Sequence, residues 1–248
     1  AGHVESMHKY GLKLQELSGD NCSIKKSLFF LKKASDKGFI ESTYKYGELL
    51  IDYDKAEEGS KYIRIAADNG HLGAIEKYAT LLRDGIGVEN NPKLAIKYYK
   101  AAIERGNADA MANYGQMLKK GKGIPVNYQE AIKYYKMAID KGHGYAMNYY
   151  AAMLWKGNGI PVDLKEAIKY YKMAIDKGVP NAMNNYALML KNGQGVPVDP
   201  EGAVKYYKMA IDKGHSNSIT SYATMLKSGQ GVPVDTEGAI KYYKLAID

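Results

Sequence analysis

Apolar and polar positions alternate with a helical period through most of the chain. Between Asn107 and Gly142, the residues Ala110, Met111, Tyr114, Gly115 and Leu118 fall at i, i+1, i+4, i+5 and i+8, one face of a first helix. Gly121 follows where a helix C-cap belongs, and Lys122-Gly123-Ile124-Pro125-Val126 reads as a short turn. Asn127, with Glu130 three residues on, reads as the N-cap of a second helix with a reciprocal cap. Asp163 with Glu166 repeats that signal, while Asn91-Pro92 and Asp199-Pro200 place proline in the first turn instead. Ala131, Tyr134, Tyr135, Ala138 and Ile139 then form the apolar stripe of the second helix, and Gly142 ends it. Strand periodicity is absent. The pattern predicts a helical hairpin with a glycine at each exit.

The hairpin recurs. AIKYYKMAIDKG at Ala131–Gly142 returns letter for letter at Ala167–Gly178, with close variants ending at Gly106 and Gly214 and a last one at Ala239–Asp248. The closing glycines Gly106, Gly142, Gly178 and Gly214 stand 36 residues apart, a period that marks a solenoid. The expected fold is all-α, an α/α superhelical solenoid of about seven helix-turn-helix repeats. The units run 3–38, 39–70, 71–106, 107–142, 143–178, 179–214 and 215–248, a single domain over 1–248 without a linker. The first unit is divergent, and the second is four residues shorter than the full copies and lacks their Gly-x-Gly connector. The last copy keeps the apolar stripe of an interior repeat instead of a polar cap, so the chain is expected to be a fragment of a longer polypeptide.

The shared pattern is Ala-x-x-x-Tyr-Ala/Gly-x-x-Leu-x-x-Gly-x-Gly-Ile/Val-x-x-Asp/Asn-x-x-x-Ala-x-x-Tyr-Tyr-x-x-Ala-x-x-x-Gly. It resembles the Sel1-like repeat, a close relative of the tetratricopeptide repeats. The match is complete or nearly so in the five units from His71 to Asp248 and recognisable in the first two. The resemblance implies a right-handed superhelix whose first helices line the concave face. It also implies a non-catalytic adaptor or scaffold, since family members assemble protein complexes. Some members serve protein quality control in the endoplasmic reticulum, and some are secreted bacterial proteins. The cysteine-rich secreted branch carries a disulfide in each repeat, and this chain departs from it.

Composition narrows the chemistry. Lys and Arg number 35 against 27 Asp and Glu, a net charge of +8 that favours acidic partners. Cys22 is the only cysteine, so no intrachain disulfide forms, and the expected compartment is the reducing cytoplasm. No apolar run approaches the roughly 20 residues of a membrane helix. The Gly-x-Gly motifs at Gly121, Gly157, Gly193 and Gly229 have no strand before them and no GK[ST] after, so they read as cap and turn, not as a nucleotide loop. His71, His143 and His215 share one register in separate units and do not converge as metal ligands must. Cys22 is expected to be a small core thiol. Asp140, Asp176 and Asp212 read as solvated helix ends. No catalytic residue, metal, cofactor or small-molecule substrate is expected.

Variation between copies points to the place where a partner binds. Second helices are nearly invariant, so their KYYK face reads as scaffold. First helices vary at three registers that face the groove in the related tetratricopeptide fold. One reads Glu76, Ala112, Asn148, Asn184 and Thr220; the next Thr80, Gln116, Ala152, Leu188 and Thr224; the third Arg83, Lys119, Trp155, Lys191 and Lys227. A row of cations broken by the only tryptophan suits an extended acidic protein or peptide segment with one apolar anchor. The candidate partner-binding residues are Arg83, Lys119, Asn148, Trp155, Asn184, Lys191 and Lys227. A solvated lysine row, with Trp155 part-buried between repeats, fits the same residues. Two other functions stay open: polyanion or acidic-filament binding through outer lysines such as Lys133, Lys136, Lys169 and Lys172, or service as a regulatory arm of a catalytic domain. Nucleic acid is disfavoured because both tyrosines of KYYK belong to the packing stripe.

Overall fold

The computed structural model describes residues 2–17 and 21–247; Asp248, which closes the last expected unit, lies outside them. The described residues form fourteen helices and no strand: α1 (Gly2–Leu17), α2 (Asn21–Ser35), α3 (Ile40–Asp52), α4 (Ala56–Asp68), α5 (Leu72–Asp84), α6 (Pro92–Glu104), α7 (Ala108–Lys120), α8 (Tyr128–Asp140), α9 (Gly144–Lys156), α10 (Leu164–Asp176), α11 (Pro180–Asn192), α12 (Pro200–Ile211), α13 (Ser216–Ser228) and α14 (Thr236–Leu245). The fold is the all-α repeat fold that the periodicity predicts. It divides into two compact units, Ala1–Asn127 and Tyr128–Asp248.

Local chemistry sets the helix ends. Gly85, Gly121, Gly157, Gly193 and Gly229 close α5, α7, α9, α11 and α13 in the left-handed conformation, as C-cap glycines do. Asn91, Asp163, Asp199 and Asp235 cap the second helices, each side chain accepting from the backbone N–H three residues on at 2.8–3.0 Å. The histidine register has the same job. Nδ1 of His71 and of His143 accepts from the N–H of Ala74 and Ala146 at 3.0 Å, where Asn107 accepts from Ala110 at 2.7 Å.

Packing follows the small residues. In the second unit Ala131, Ala138, Ala167, Ala174, Ala203 and Ala210 are fully buried, and Tyr135, Tyr171 and Tyr207 fill the space between helices. The second-helix stripe is shifted from the expected one: Ile132 is buried, whereas Tyr134 and Ile139 are half-exposed. The second glycine of each connector docks onto an earlier helix. A Cβ on Gly87 would strike the carbonyl of Ala56, and one on Gly231 the backbone of Pro200. Cys22 corrects an expectation: it is exposed, because α2 buries Ile24, Ser27, Leu31 and Ala34, and Cys22 falls outside that stripe. The short second repeat turns through Tyr53, Asp54 and Lys55, with Asp54 left-handed, and Gly47 faces Gly59 where α3 and α4 nearly touch. A cavity of about 950 Å³ opens beside this turn, lined by mixed charges that include Glu57, Glu58, Lys61, Arg64 and Glu89.

Candidate functional site

First helices expose one narrow strip each. In α9 the residues Ala146, Met147, Asn148, Tyr150, Ala151, Met153 and Leu154 are all buried, which leaves Tyr145, Tyr149, Ala152, Trp155 and Lys156 accessible. These fall near i, i+4, i+7 and i+10, a single stripe of the helix. The sequence reading placed Asn148 on this stripe, and the structure moves it off. Asn148 is 4% exposed and turns toward the neighbouring first helix, where its Oδ1 accepts from Asn185 Nδ2 at 3.1 Å. Tyr145 and Tyr149 take the accessible positions instead. Comparing their registers across copies exposes them: one reads Gly73, Asp109, Tyr145, Asn181 and Asn217, the other Lys77, Asn113, Tyr149, Asn185 and Ser221.

In the first unit this surface is tied up in its own polar network. The Glu76 carboxylate accepts from Thr80 Oγ1 at 2.9 Å and from Asn113 Nδ2 at 2.7 Å. Arg83 donates to Asn113 Oδ1 at 3.2 Å and grips Asp84 through Nε at 2.9 Å. Burial pushes the Glu76 carboxyl upward against its two hydrogen bonds, and the Arg83 hydrogen bond holds Asp84 below the usual carboxylate range. Thr80 Oγ1 also meets the Tyr99 hydroxyl at 2.8 Å. Lys119 is half-buried at the end of α7.

The second unit is different. Its first helices α9, α11 and α13 contain no Asp or Glu and carry Lys156, Lys191 and Lys227 near their C-terminal ends. Trp155 is half-buried, edge-on to Tyr171 at 6.4 Å between centroids, with Lys156 Nζ 5.8 Å over its ring. Asn184 is half-buried and accepts from Ser218 at 3.0 Å; Lys191 is half-buried and Lys227 exposed. Tyr145 is 44% exposed, and its ring lies 6.4 Å from those of Tyr149 and His143. Beneath the strip, the Tyr135 hydroxyl is buried without a hydrogen-bond partner among the described residues, and the Tyr171 hydroxyl is buried with the Asn185 amide beside it. Burial drives both phenols well above their ordinary range; at Tyr171 the Asn185 amide works against that push.

The outer lysines are partly engaged in packing. Lys136, Lys172 and Lys208 place Nζ 5.1–5.5 Å from the ring centroids of Tyr150, Tyr186 and Tyr222 on the following first helices. Such cation–π contacts hold neighbouring helices together and leave less of the KYYK charge for a polyanion. His71 Nε2 donates to the Glu41 carboxylate at 2.8 Å and its ring stacks on Tyr44, which joins adjacent first helices. Among the described residues, no group of three or more His, Cys, Asp or Glu converges on one point, and no helix is long and apolar enough to cross a membrane.

Comparison with known proteins agrees with the geometry. The Sel1 repeat sequence profile matches residues 4–39, 73–107, 108–143, 144–179, 180–215 and 217–248. The short second repeat is the stretch passed over. Among curated proteins, none matches the chain. A Sel1 repeat protein from Oxalobacter formigenes is 30% identical, with a TM-score of 0.69 over 83% of this chain and 82% of that one. The uropathogenic Escherichia coli protective antigen c5321, which displays an SLR fold, is 21% identical, with a TM-score of 0.67 over 99% of this chain and 54% of that one. Yeast Tom70 is 16% identical, with a TM-score of 0.61 over 98% of this chain and 53% of that one. The last two are likenesses of fold.

Proposed function

The chain belongs to the Sel1 repeat family, and from that premise we propose that it is a non-catalytic scaffold that grips a partner protein along the accessible strips of its first helices. The partner segment is acidic, extended and anchored by an apolar side chain. The observation that carries this reading is the second unit's surface: three adjacent first helices without a carboxylate, three lysines, and a half-buried tryptophan. Large aromatic side chains at the centre of an interface contribute most of its binding energy, while cations set charge preference and on-rate. Arg83 and Lys119 supply cations at the same register of the first unit's own helices, although Arg83 is already paired with Asp84.

Affinity capture from the native source tests this, with wild type compared against Trp155→Ala and Lys191→Glu. A partner retained by wild type and depleted from both variants, at unchanged melting midpoints, is the expected result. Undiminished retention by both variants would put the partner elsewhere on the molecule.

A further inference from the structure

The accessible strip of α9 differs in kind from those of α5, α7, α11 and α13. Theirs are polar or mixed; its own is Tyr145, Tyr149, Ala152 and Trp155. We infer that α9 is where the groove reads its ligand: one bulky apolar side chain of an extended acidic peptide seats on Ala152, between Tyr149 and Trp155. This rests on the groove reading above and sharpens it.

Three observations lead there. Tyr149, Ala152 and Trp155 are three residues apart on one helix face, so the single methyl of Ala152 leaves a notch between two large rings. The floor of that notch is bonded differently from its equivalents. In hairpins α5/α6 and α13/α14 the corresponding tyrosine hydroxyls meet Thr80 at 2.8 Å and Thr224 at 3.1 Å. Ala152 stands at the threonine position in α9/α10, so the buried Tyr171 hydroxyl has no threonine to meet and only the Asn185 amide of α11 beside it. Finally, the surroundings choose the ligand. The absence of Asp and Glu from α9, α11 and α13, with Lys156, Lys191 and Lys227 beside the strip, complements negative charge. Asn181, Asn185 and Ser221 border the strip with polar side chains that are held by His215, Asn148 and the Asn217 carbonyl and keep further lone pairs or protons for a peptide. A nucleic-acid strand would want stacking platforms at successive positions, and the aromatic strip is confined to one helix.

Trp155 is the only tryptophan, so its emission reports on the notch directly. The probe is a set of short, tryptophan-free synthetic peptides of Asp and Glu in which the central residue is varied. Wild type is expected to bind phenylalanine, tyrosine or leucine centres about tenfold more tightly than alanine, the scale of burying one large apolar side chain. Ala152→Leu fills the notch and should erase the preference while keeping charge-dependent binding. Leucine already occupies this register at Leu188; Ala152→Gln, which copies the glutamine at Gln116, serves if leucine shifts the melt. Lys191→Glu with Lys227→Glu should weaken all peptides alike. Equal binding of all centres by wild type, or a preference that survives both Ala152 variants, overturns the notch and leaves the groove standing. Indifference to the lysine variants and to the centre brings down the groove itself. Oligothymidylate binding more tightly than every peptide would assign the strip to nucleic acid and overturn the proposal.

Discussion

His8 and His215 show how single residues tune this fold. His8 is 8% exposed, with Nδ1 2.9 Å from Ser42 Oγ and its ring against Phe39. His215 lies at a first-helix start, its Nδ1 2.9 Å from Ser218 Oγ. Burial holds both imidazoles below their ordinary range. The unfolded chain therefore takes up protons first as pH falls below about 6.5. Their stability contribution is present above that value and is lost as pH drops through the lower folded values. Thermal melts are expected to show a lower midpoint near pH 5 than near pH 7, and a smaller difference in His8→Gln. A midpoint that rises on acidification, or an unchanged difference in the variant, would contradict the assignment.

Helices and their connectors obey a rule that local pattern shows only in part. Gly214 and Gly231 both have positive φ, 77° and 70°. A Cβ on Gly214 meets nothing within 4 Å, whereas on Gly231 it meets the backbone of Pro200. Gly214→Ala should cost about 1–2 kcal/mol, the ordinary left-handed penalty. Gly231→Ala should cost clearly more, because backbone must move; denaturant midpoints compare them, and equal losses would mean the connector does not dock. The first glycine of each Gly-x-Gly was legible as a C-cap because its cause lies within one helix. The second was not, since its contact lies 31 residues earlier, at Pro200 for Gly231. The candidate site divides the same way. Trp155 and Lys191 stand out by residue type, but Asn148 rests on analogy, and the accessible strip lies one position away at Tyr149. Tyrosine is so common in the packing stripes that residue type hides Tyr145 and Tyr149; only the variation of their registers between copies marks them, and burial separates surface from core. The histidine caps were missed because imidazole is a rarer N-cap than Asn or Asp.

Across the molecule, near-identical repeats permit a test that a point variant does not. In an array, stability is close to a sum of unit and nearest-neighbour terms, so an interior copy can be removed where its boundaries match. Removing residues 143–178 joins Gly142 to Val179, and residues 130–142 before the join are letter for letter the residues 166–178 that precede Val179 natively. Removing 179–214 instead joins Gly178 to His215, and α13 then stands where α11 stood. That second exchange substitutes Ser221 for Asn185, Thr224 for Leu188 and Lys227 for Lys191, so hydroxyl and cation registers survive. Both shortened chains should remain helical and melt cooperatively at lower midpoints. They should part in binding. Without 143–178 the aromatic strip is gone, and acidic peptides should be bound weakly, whatever their central residue. Without 179–214 the strip remains, and the preference for a large apolar centre should persist at reduced affinity. The reverse order would mean that the ligand is read by α11, and that the rings of α9 are surface without a task.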